Sequence, residues 1–318
     1  MRDKFIGWFT GVQPSMVGAW WGRAGVCLAR ARPMDNFQTV VEVVYEPCGL
    51  DFANQTDMSL SNRGETVNAL RCAAERLGRH KFTLALGIPS GDIFIKNIEI
   101  PVGLTTKQIE QISVVEAVSN LPVPPEEICA DFLKHNAEKA VNTERIDIAF
   151  CKRGLIDDLG IVAEDAGVVL SVVDRDIQAV HDAILWCAKE QGSHESVEYP
   201  LGVLIEGEEK TFIVSRSALD HVSYAFKSAD NIVRSESVSK ELQAYCRRAG
   251  LDFENGRPLN QLFLVVDANS STVAASNIEN LSQETLEINP ATCVKGDGGI
   301  SPVYGLIVAM GMALRKAA

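Results

Sequence analysis

The chain lacks most of the features that would assign it a chemistry. Its eight cysteines, at 27, 48, 72, 129, 151, 187, 246 and 293, include no Cys-x-x-Cys pair. They fall mostly inside apolar segments, as small hydrophobes do, and no signal peptide precedes them. A reduced, cytosolic chain is therefore expected rather than a disulfide framework. The five histidines, at 80, 135, 181, 194 and 221, are scattered and make no metal-ligand spacing with cysteine or carboxylate. His181, next to Asp182, reads as a surface or boundary residue. Basic residues are outnumbered, 30 Lys and Arg against 42 Asp and Glu, for a net charge of -12. Such a balance argues against a nucleic-acid surface. No apolar run reaches the roughly 18–20 residues needed to cross a bilayer. The longest, 303–314 and 168–173, are too short. Any membrane association is expected to run through a partner, although the cluster Phe5, Trp8 and Phe9 reads either as a packed aromatic arm or as a surface anchor.

What is present is an alternation of strand and helix patterns long enough, at 318 residues, for about two domains. Residues 17–21 and 26–30 read as strands of a tight hairpin around Gly22 and Gly25, and 39–45 as a third strand rich in β-branched residues. Asn62 and Glu65 form a capping-box pattern before a helix that Gly78 stops. The apolar run 82–88 reads as a central buried strand, and 93–100 as an alternating one. Further on, 145–151 and 168–173 read as strands, with helices at 155–166 and 176–189. The stretch 190–199 has no periodicity and reads as a linker. A second block follows, with strands at 201–205, 211–215, 221–226, 260–266 and 285–288 and helices at 237–249, 270–280 and 303–316. Two blocks of similar plan point to an α/β, two-lobed architecture.

The most sharply punctuated stretch is 98–132. Ile98 to Pro101 ends a strand, and Thr105 with Gln108 makes a Thr-x-x-Gln capping box. Ile109, Ile112, Val115 and Val118 recur near one helical face. Pro122, Pro124 and Pro125 then stop the helix and stiffen the exit into a strand at 128–133.

These motifs resemble the PilM family of type IV pilus assembly proteins, in the actin-like ATPase superfamily and related to the division protein FtsA. The resemblance rests on three places, in the family's order over most of 17–318. The first is Ile98, Ile100 and Pro101 before a helix carrying Glu116, then Leu121, Pro122, Glu126, Glu127, Ile128, Asp131 and Phe132. The second is Ala166 and Gly167 before Val172, Val173 and Asp174. The third is Asn289 and Pro290, then Tyr304, Ala309, Gly311, Ala313, Leu314 and Arg315. It implies an actin-like (ribonuclease H-like) fold of two lobes with an inserted FtsA-type β-α-β subdomain. The implied division is 1–92 and 167–189 for the first lobe, 93–166 for the insert, 190–299 for the second lobe and 300–318 for a helix returning to the first.

The resemblance also implies a nucleotide site whose phosphate turns are degenerate. Gly22, Gly25 and Gly207 remain as remnants of those turns, but Trp20 stands where an acidic residue is expected and Cys27 where a lysine is. In the second turn Glu206 is one residue out of place, which points its side chain to the other face of a strand. Asp267 and Ala268 replace the glycine pair of the adenine-side turn. No cofactor is expected, ATP with Mg²⁺ being the alternative, and the chain reads as a non-hydrolysing scaffold rather than an enzyme. The glycine-rich 296–299 lacks a P-loop lysine and reads as a connector, an anion cradle at a helix N-terminus being its other reading.

The implied partner is the N-terminal tail of a PilN-like inner-membrane protein, bound in a groove between insert and first lobe, with Ile95, Ile109, Ile112 and Val115 as candidate lining residues. Self-association is left open. The implied location is cytoplasmic, peripheral to the inner membrane. Two rival readings are an active actin-like ATPase and the cytoplasmic part of a GspL-like type II secretion protein. The latter would continue into a membrane span, whereas this chain stops at Ala318.

Overall fold

The computed structural model describes residues 16–22, 24–33, 39–48, 63–78, 82–89, 91–134, 142–191 and 282–314, together with strands 201–206, 210–216, 221–227 and 259–265. Between 201 and 287 the side chains described are those of Phe263 and Val265. The aromatic cluster at 5–9, the 62–65 capping pattern's Asn62, and the helices expected at 237–249 and 270–280 lie outside these residues.

The first lobe opens with an antiparallel meander, β1 (Met16–Gly22), β2 (Gly25–Pro33) and β3 (Thr39–Pro47). Helix α1 (Arg63–Arg76) leads to β4 (Thr83–Ile88), which lies parallel to β1. The chain then leaves the sheet for the insert: β5 (Phe94–Pro101), α2 (Thr106–Val118), β6 (Ile128–Lys134) and β7 (Thr143–Lys152). It returns through α3 (Arg153–Asp165) to β8 (Val169–Arg175) and α4 (Asp176–Glu190). In the second lobe β9 (Leu201–Glu206), β10 (Lys210–Arg216) and β11 (His221–Lys227) form another meander, with β12 (Leu259–Val265) and β13 (Ser282–Ile288) added in parallel. A short β14 (Val294–Gly296) and helix α5 (Val303–Leu314) end the described chain.

The two large sheets repeat one plan. The first runs β14-β3-β2-β1-β4-β8 and the second β11-β10-β9-β12-β13. In each, three antiparallel strands are followed by two parallel ones, counted outward from the same central strand. That duplication is the actin-like architecture expected from the sequence. The insert forms its own three-stranded antiparallel sheet, β5-β7-β6.

Alternation along β1 divides the first lobe's core in two, because successive strand side chains point to opposite faces. Val17, Ala19 and Trp21, with Val26 and Leu28 of β2, pack beneath α1 and α3. Trp20, with Cys27 and Ala29, faces α4 and α5. Those two helices also meet Phe263, Val265 and Ile288 of the second sheet, so they lie between the two sheets. A helix apolar all round suits that place, and α5 is buried at every position from Val303 to Ala313. The same layering buries His181 at 3% exposure, correcting its expected boundary position.

Close packing of α5 is made possible by glycine. A Cβ on Gly18 of β1 would land on the Ala309 carbonyl oxygen, and one on Gly311 would land on that of Ala179 in α4. Two of the expected boundaries move. Helix α3 buries Ile156, Leu159, Val162 and Ala163 in the first-lobe core, so it belongs with that lobe rather than with the insert. The return from the second lobe begins at Val294, because β14 pairs in parallel with Val41–Val43 of β3. The glycine stretch at 296–299 is thus a sheet edge and turn. Gly296 has φ +93° and a Cβ there would strike the Val43 carbonyl, which excludes other residues. The Asp297 carboxylate accepts the Tyr45 N–H at 3.0 Å and pairs with Arg76 at 2.5 Å, closing the rest of the β3 edge.

Gly18→Ala and Gly311→Ala are each expected to destabilise the chain by about 2 kcal/mol or more in denaturant unfolding, as overpacking against backbone does. Gly154→Ala, at a helical position with open space around it, is expected to be neutral or stabilising by under about 1 kcal/mol.

Candidate functional site

Two places were singled out by sequence, the hairpin remnant and the insert. In the hairpin, Gly22 of β1 is paired with Gly25 of β2, and Trp20 with Cys27, so all four lie on the face toward α5. The indole fills the space there. A Cβ on Gly22 would meet the six-membered ring of Trp20 on one side, and a Cβ on Gly305 of α5 would meet it on the other. Trp20 is 7% exposed and stands edge-on to Tyr304, with ring centroids 6.2 Å apart. The Tyr304 hydroxyl donates to Asp176, the buried first residue of α4. The pair joins the start of α5 to the start of α4 directly over the hairpin.

Cys27, where the resemblance places a lysine, has no exposure. Its thiol lies 4.0 Å from the Ser301 hydroxyl, and burial pushes it up to about 12, so it is neutral at physiological pH. The two positions in question, Trp20 and Cys27, therefore supply neither a carboxylate for Mg²⁺ and water nor a cation for phosphate. Among the described residues no group of three or more His, Cys, Asp or Glu is placed to hold a metal ion. Gly207, and the turn at Asp267 and Ala268, lie outside the described residues.

The insert is built as its sequence indicates. Thr105 and Gln108 make both halves of the capping box, the Thr105 N–H donating to the Gln108 side chain at 2.9 Å. Such caps contribute about 1 kcal/mol. The proline elbow holds a single 3-10 turn, Pro125–Glu127, before β6. Helix α2 covers one face of the sheet, where Ile100, Ile128, Ile146, Ile148 and Phe150 form a small separate core with Ile109 and Ala117. Phe94 stacks on Phe150 at 5.6 Å, and Lys96 pairs with Glu116 of α2 at 2.6 Å.

Strand register defines the other face. Ile95 pairs with Ala149, Asn97 with Asp147, Cys129 with Cys151, Asp131 with Ala149 and Leu133 with Asp147. At the end nearest the first lobe, Ile93, Cys129, Ala149 and Cys151 join that lobe's core beside α3. Further along, Ile95, Asp131, Leu133 and Asp147 continue the face as a half-buried strip, with α2 on the opposite side, and Asp147 is paired there with Arg145 at 3.7 Å. Desolvation raises Asp131 from the ordinary 3.8 to about 6, helped by Glu110 and opposed by the hydrogen bond from the Phe132 N–H.

The four candidate lining residues therefore separate. Ile95 lies on this strip. Ile109 is fully buried and Ile112 partly buried in the insert's own core, where they hold α2 on the sheet. Val115 is 68% exposed on the outer side of α2. The 3.6-residue periodicity places Ile109, Ile112 and Val115 near one face, but the helix buries the narrower stripe of Ile109, Ser113 and Ala117. Asp131 and Leu133 were not singled out as lining residues. The available signal was the alternation of β6, which puts them on the face opposite Phe132.

Two lobes of one strand plan, two helices between them and a β-α-β insert beside the first define the chain as an actin-like protein of the FtsA type. A family model described as type IV pilus assembly protein PilM matches residues 32–250, more than half of the chain. The chain belongs to the PilM family. It is similar in fold to the solved PilM-PilN type IV pilus biogenesis complex, with a TM-score of 0.68 and 14% identity over 96% of this chain and 100% of that one. Two further likenesses are weaker. One is to the cytoplasmic domain of EpsL, an inner-membrane component of the type II secretion system of Vibrio cholerae, with a TM-score of 0.48 and 11% identity over 95% of each chain. The other is to a nucleotide-free diol dehydratase-reactivating factor, with a TM-score of 0.41 and 7% identity over 96% of this chain and 100% of that one. No curated protein sequence matches the chain. No helix among the described residues is long and apolar enough to cross a membrane.

Trp20→Ala is expected to destabilise the chain by about 3–5 kcal/mol, and Tyr304→Phe by about 1–3 kcal/mol through the lost donor to Asp176, both read from denaturant unfolding. For Asp131, the folded chain keeps a proton that the unfolded chain has released. Its contribution favours folding below pH 3.8 and is lost as pH rises through about 6. Asp131→Asn is expected to flatten that part of the stability–pH curve, with no change of slope at higher pH.

Proposed function

We propose that this protein is a scaffold of type IV pilus assembly that docks on the N-terminal tail of a PilN-like inner-membrane protein and does not turn over nucleotide. Family membership supports the pilus role. A solved structure similar in fold is a PilM-PilN complex, which supports the choice of partner. The observation that carries the reading is the Trp20 indole, wedged between Gly22 and Gly305 where a phosphate-binding turn needs open backbone. A chain whose own side chain occupies that turn has its two lobes joined without a ligand. What it offers a partner is the insert.

The docking surface in this reading is the strip of Ile95, Asp131, Leu133 and Asp147. An extended segment suits a sheet beside a lobe, because main-chain contacts supply affinity and alternate pockets supply register. Asp131 and the chain's net charge of -12 favour an apolar segment carrying a basic residue. The protein would then sit at the cytoplasmic side of the inner membrane through its partner.

The test is anisotropy of a labelled peptide from the start of the cognate PilN-like protein, titrated with the full chain. Binding is expected, weakened about tenfold or more, near 1.4 kcal/mol, by Asp131→Ala or Leu133→Asp and unchanged by Val115→Asp. Binding indifferent to both strip substitutions, or lost with Val115→Asp, moves the docking site off this face. In parallel, Mg-ATP is expected to leave the Tm unchanged; a clear rise would overturn the filled-turn reading.

A further inference from the structure

The outer edge of the first sheet holds a cavity of about 490 Å³. Strand register puts it on the face that carries α1. Leu28 of β2 and Val44 of β3 point to that face. So, at steps of two along the same strands, do Arg30 and Arg32, and Glu42 and Val40. Glu42 stands opposite Arg30 on one side and opposite Lys295 of β14 on the other. Arg76, in the last turn of α1, reaches the same corner, where it pairs with Glu46 at 2.7 Å and with Asp297 at 2.5 Å. Three cations from three elements, Arg32, Arg76 and Lys295, thus line one cavity, and Val40 and Val44 supply its apolar wall.

The two carboxylates that share this lining are already engaged. Glu42 accepts from Arg32 at 2.9 Å, and Asp297 accepts from Arg76 and from the Tyr45 N–H. The surplus is cationic. Lys295 is exposed and makes no ion pair among the described residues. Arg30 lies over the Phe82 ring, 5.7 Å from its centroid, and has only the carboxylate that Arg32 already holds. Burial and the neighbouring Arg32 charge keep Arg30 below the ordinary arginine range, with Glu42 opposing. In a chain of net charge -12, a corner where the cations outnumber the acids is locally exceptional.

We propose that this cavity binds a phosphomonoester of a small apolar body, with the phosphate between Arg32, Arg76 and Lys295 and the body against Val40 and Val44. A phosphate has three terminal oxygens and close to two charges, so it accepts from cations placed on three separate elements. A carboxylate offers two oxygens and one charge, which two of these cations satisfy. A guanidinium carries five N–H donors in a planar fork, and one of those on Arg32 goes to Glu42. The volume falls within the roughly 300–1,000 Å³ of small-molecule pockets. The cavity lies on the face of the sheet opposite Trp20 and α5, so it is separate from the hairpin turn. It does not depend on the scaffold reading. A bound ester would tie β14, where the chain returns to the first lobe, to β2 and the end of α1.

The test is isothermal titration calorimetry of the full chain in a low-salt, phosphate-free buffer, with phenyl phosphate, benzoate and inorganic phosphate as probes. Phenyl phosphate is expected to bind at one equivalent, about tenfold or more tighter than benzoate, with inorganic phosphate competing. Added salt is expected to weaken it. Lys295→Ala is expected to weaken phenyl phosphate about tenfold, Lys295→Glu to abolish its binding and Lys295→Arg to retain it. Lys107→Ala, at an exposed lysine of the insert, is expected to change nothing. Because Lys295 is exposed and forms no ion pair among the described residues, these variants test the site without disturbing the core. No binding at millimolar phenyl phosphate, benzoate binding as tightly, or an affinity that Lys295→Glu leaves unchanged overturns the proposal.

Discussion

The structure depends on backbone reaching backbone along α5. Gly18 lets β1 close on the Ala309 carbonyl, and Gly311 lets α4 close on the far side. Without those approaches the helix would stand off from both, and the apolar layer that joins the first sheet to Phe263, Val265 and Ile288 of the second would open. Dispersion and burial fall steeply with separation, so a gap of a fraction of an ångström along eleven buried residues would forfeit much of the attraction. Everything between the lobes is set by this spacing, including the width left for the Trp20 ring.

That ring fills the point where the first hairpin meets the two interlobe helices. In this architecture the first hairpin and the two interlobe helices converge on one point. In this chain the point is occupied by indole, the Tyr304 ring and the Tyr304–Asp176 hydrogen bond, with the neutral Cys27 thiol behind them. A bulky aromatic gains burial on every side and needs no counter-ion. The lobes are held by side chains of the protein itself, which is consistent with a scaffold whose working surface lies on the insert.

The insert has the opposite character. Its core is small, its capping and proline punctuation are local, and one face of its sheet runs from the first-lobe core out to a half-buried strip. A face that is continuous with a rigid core at one end and open at the other is pre-organised for an extended segment, since little ordering is left to be done on binding.

Much of this was legible in the chain itself, for local reasons. Period-two and period-3.6 patterns marked most of the described strands and helices. Thr105 with Gln108 and the prolines at 122, 124 and 125 defined the insert's helix and exit, because caps and fixed φ angles act over a few residues. That Trp20 and Cys27 differ from the residues expected of a phosphate turn is visible in the sequence alone. Tertiary structure decided the rest. Only packing shows that Ile109 belongs to the insert's core while Ile95 faces outward, since periodicity names a face but not what covers it. Only the sheet order makes 294–296 an edge strand of the first lobe, because its partner β3 is some 250 residues away in sequence. And only the fold brings Tyr304 to Asp176. Long-range pairs are chosen by the three-dimensional arrangement of elements, and no spacing along the chain encodes them.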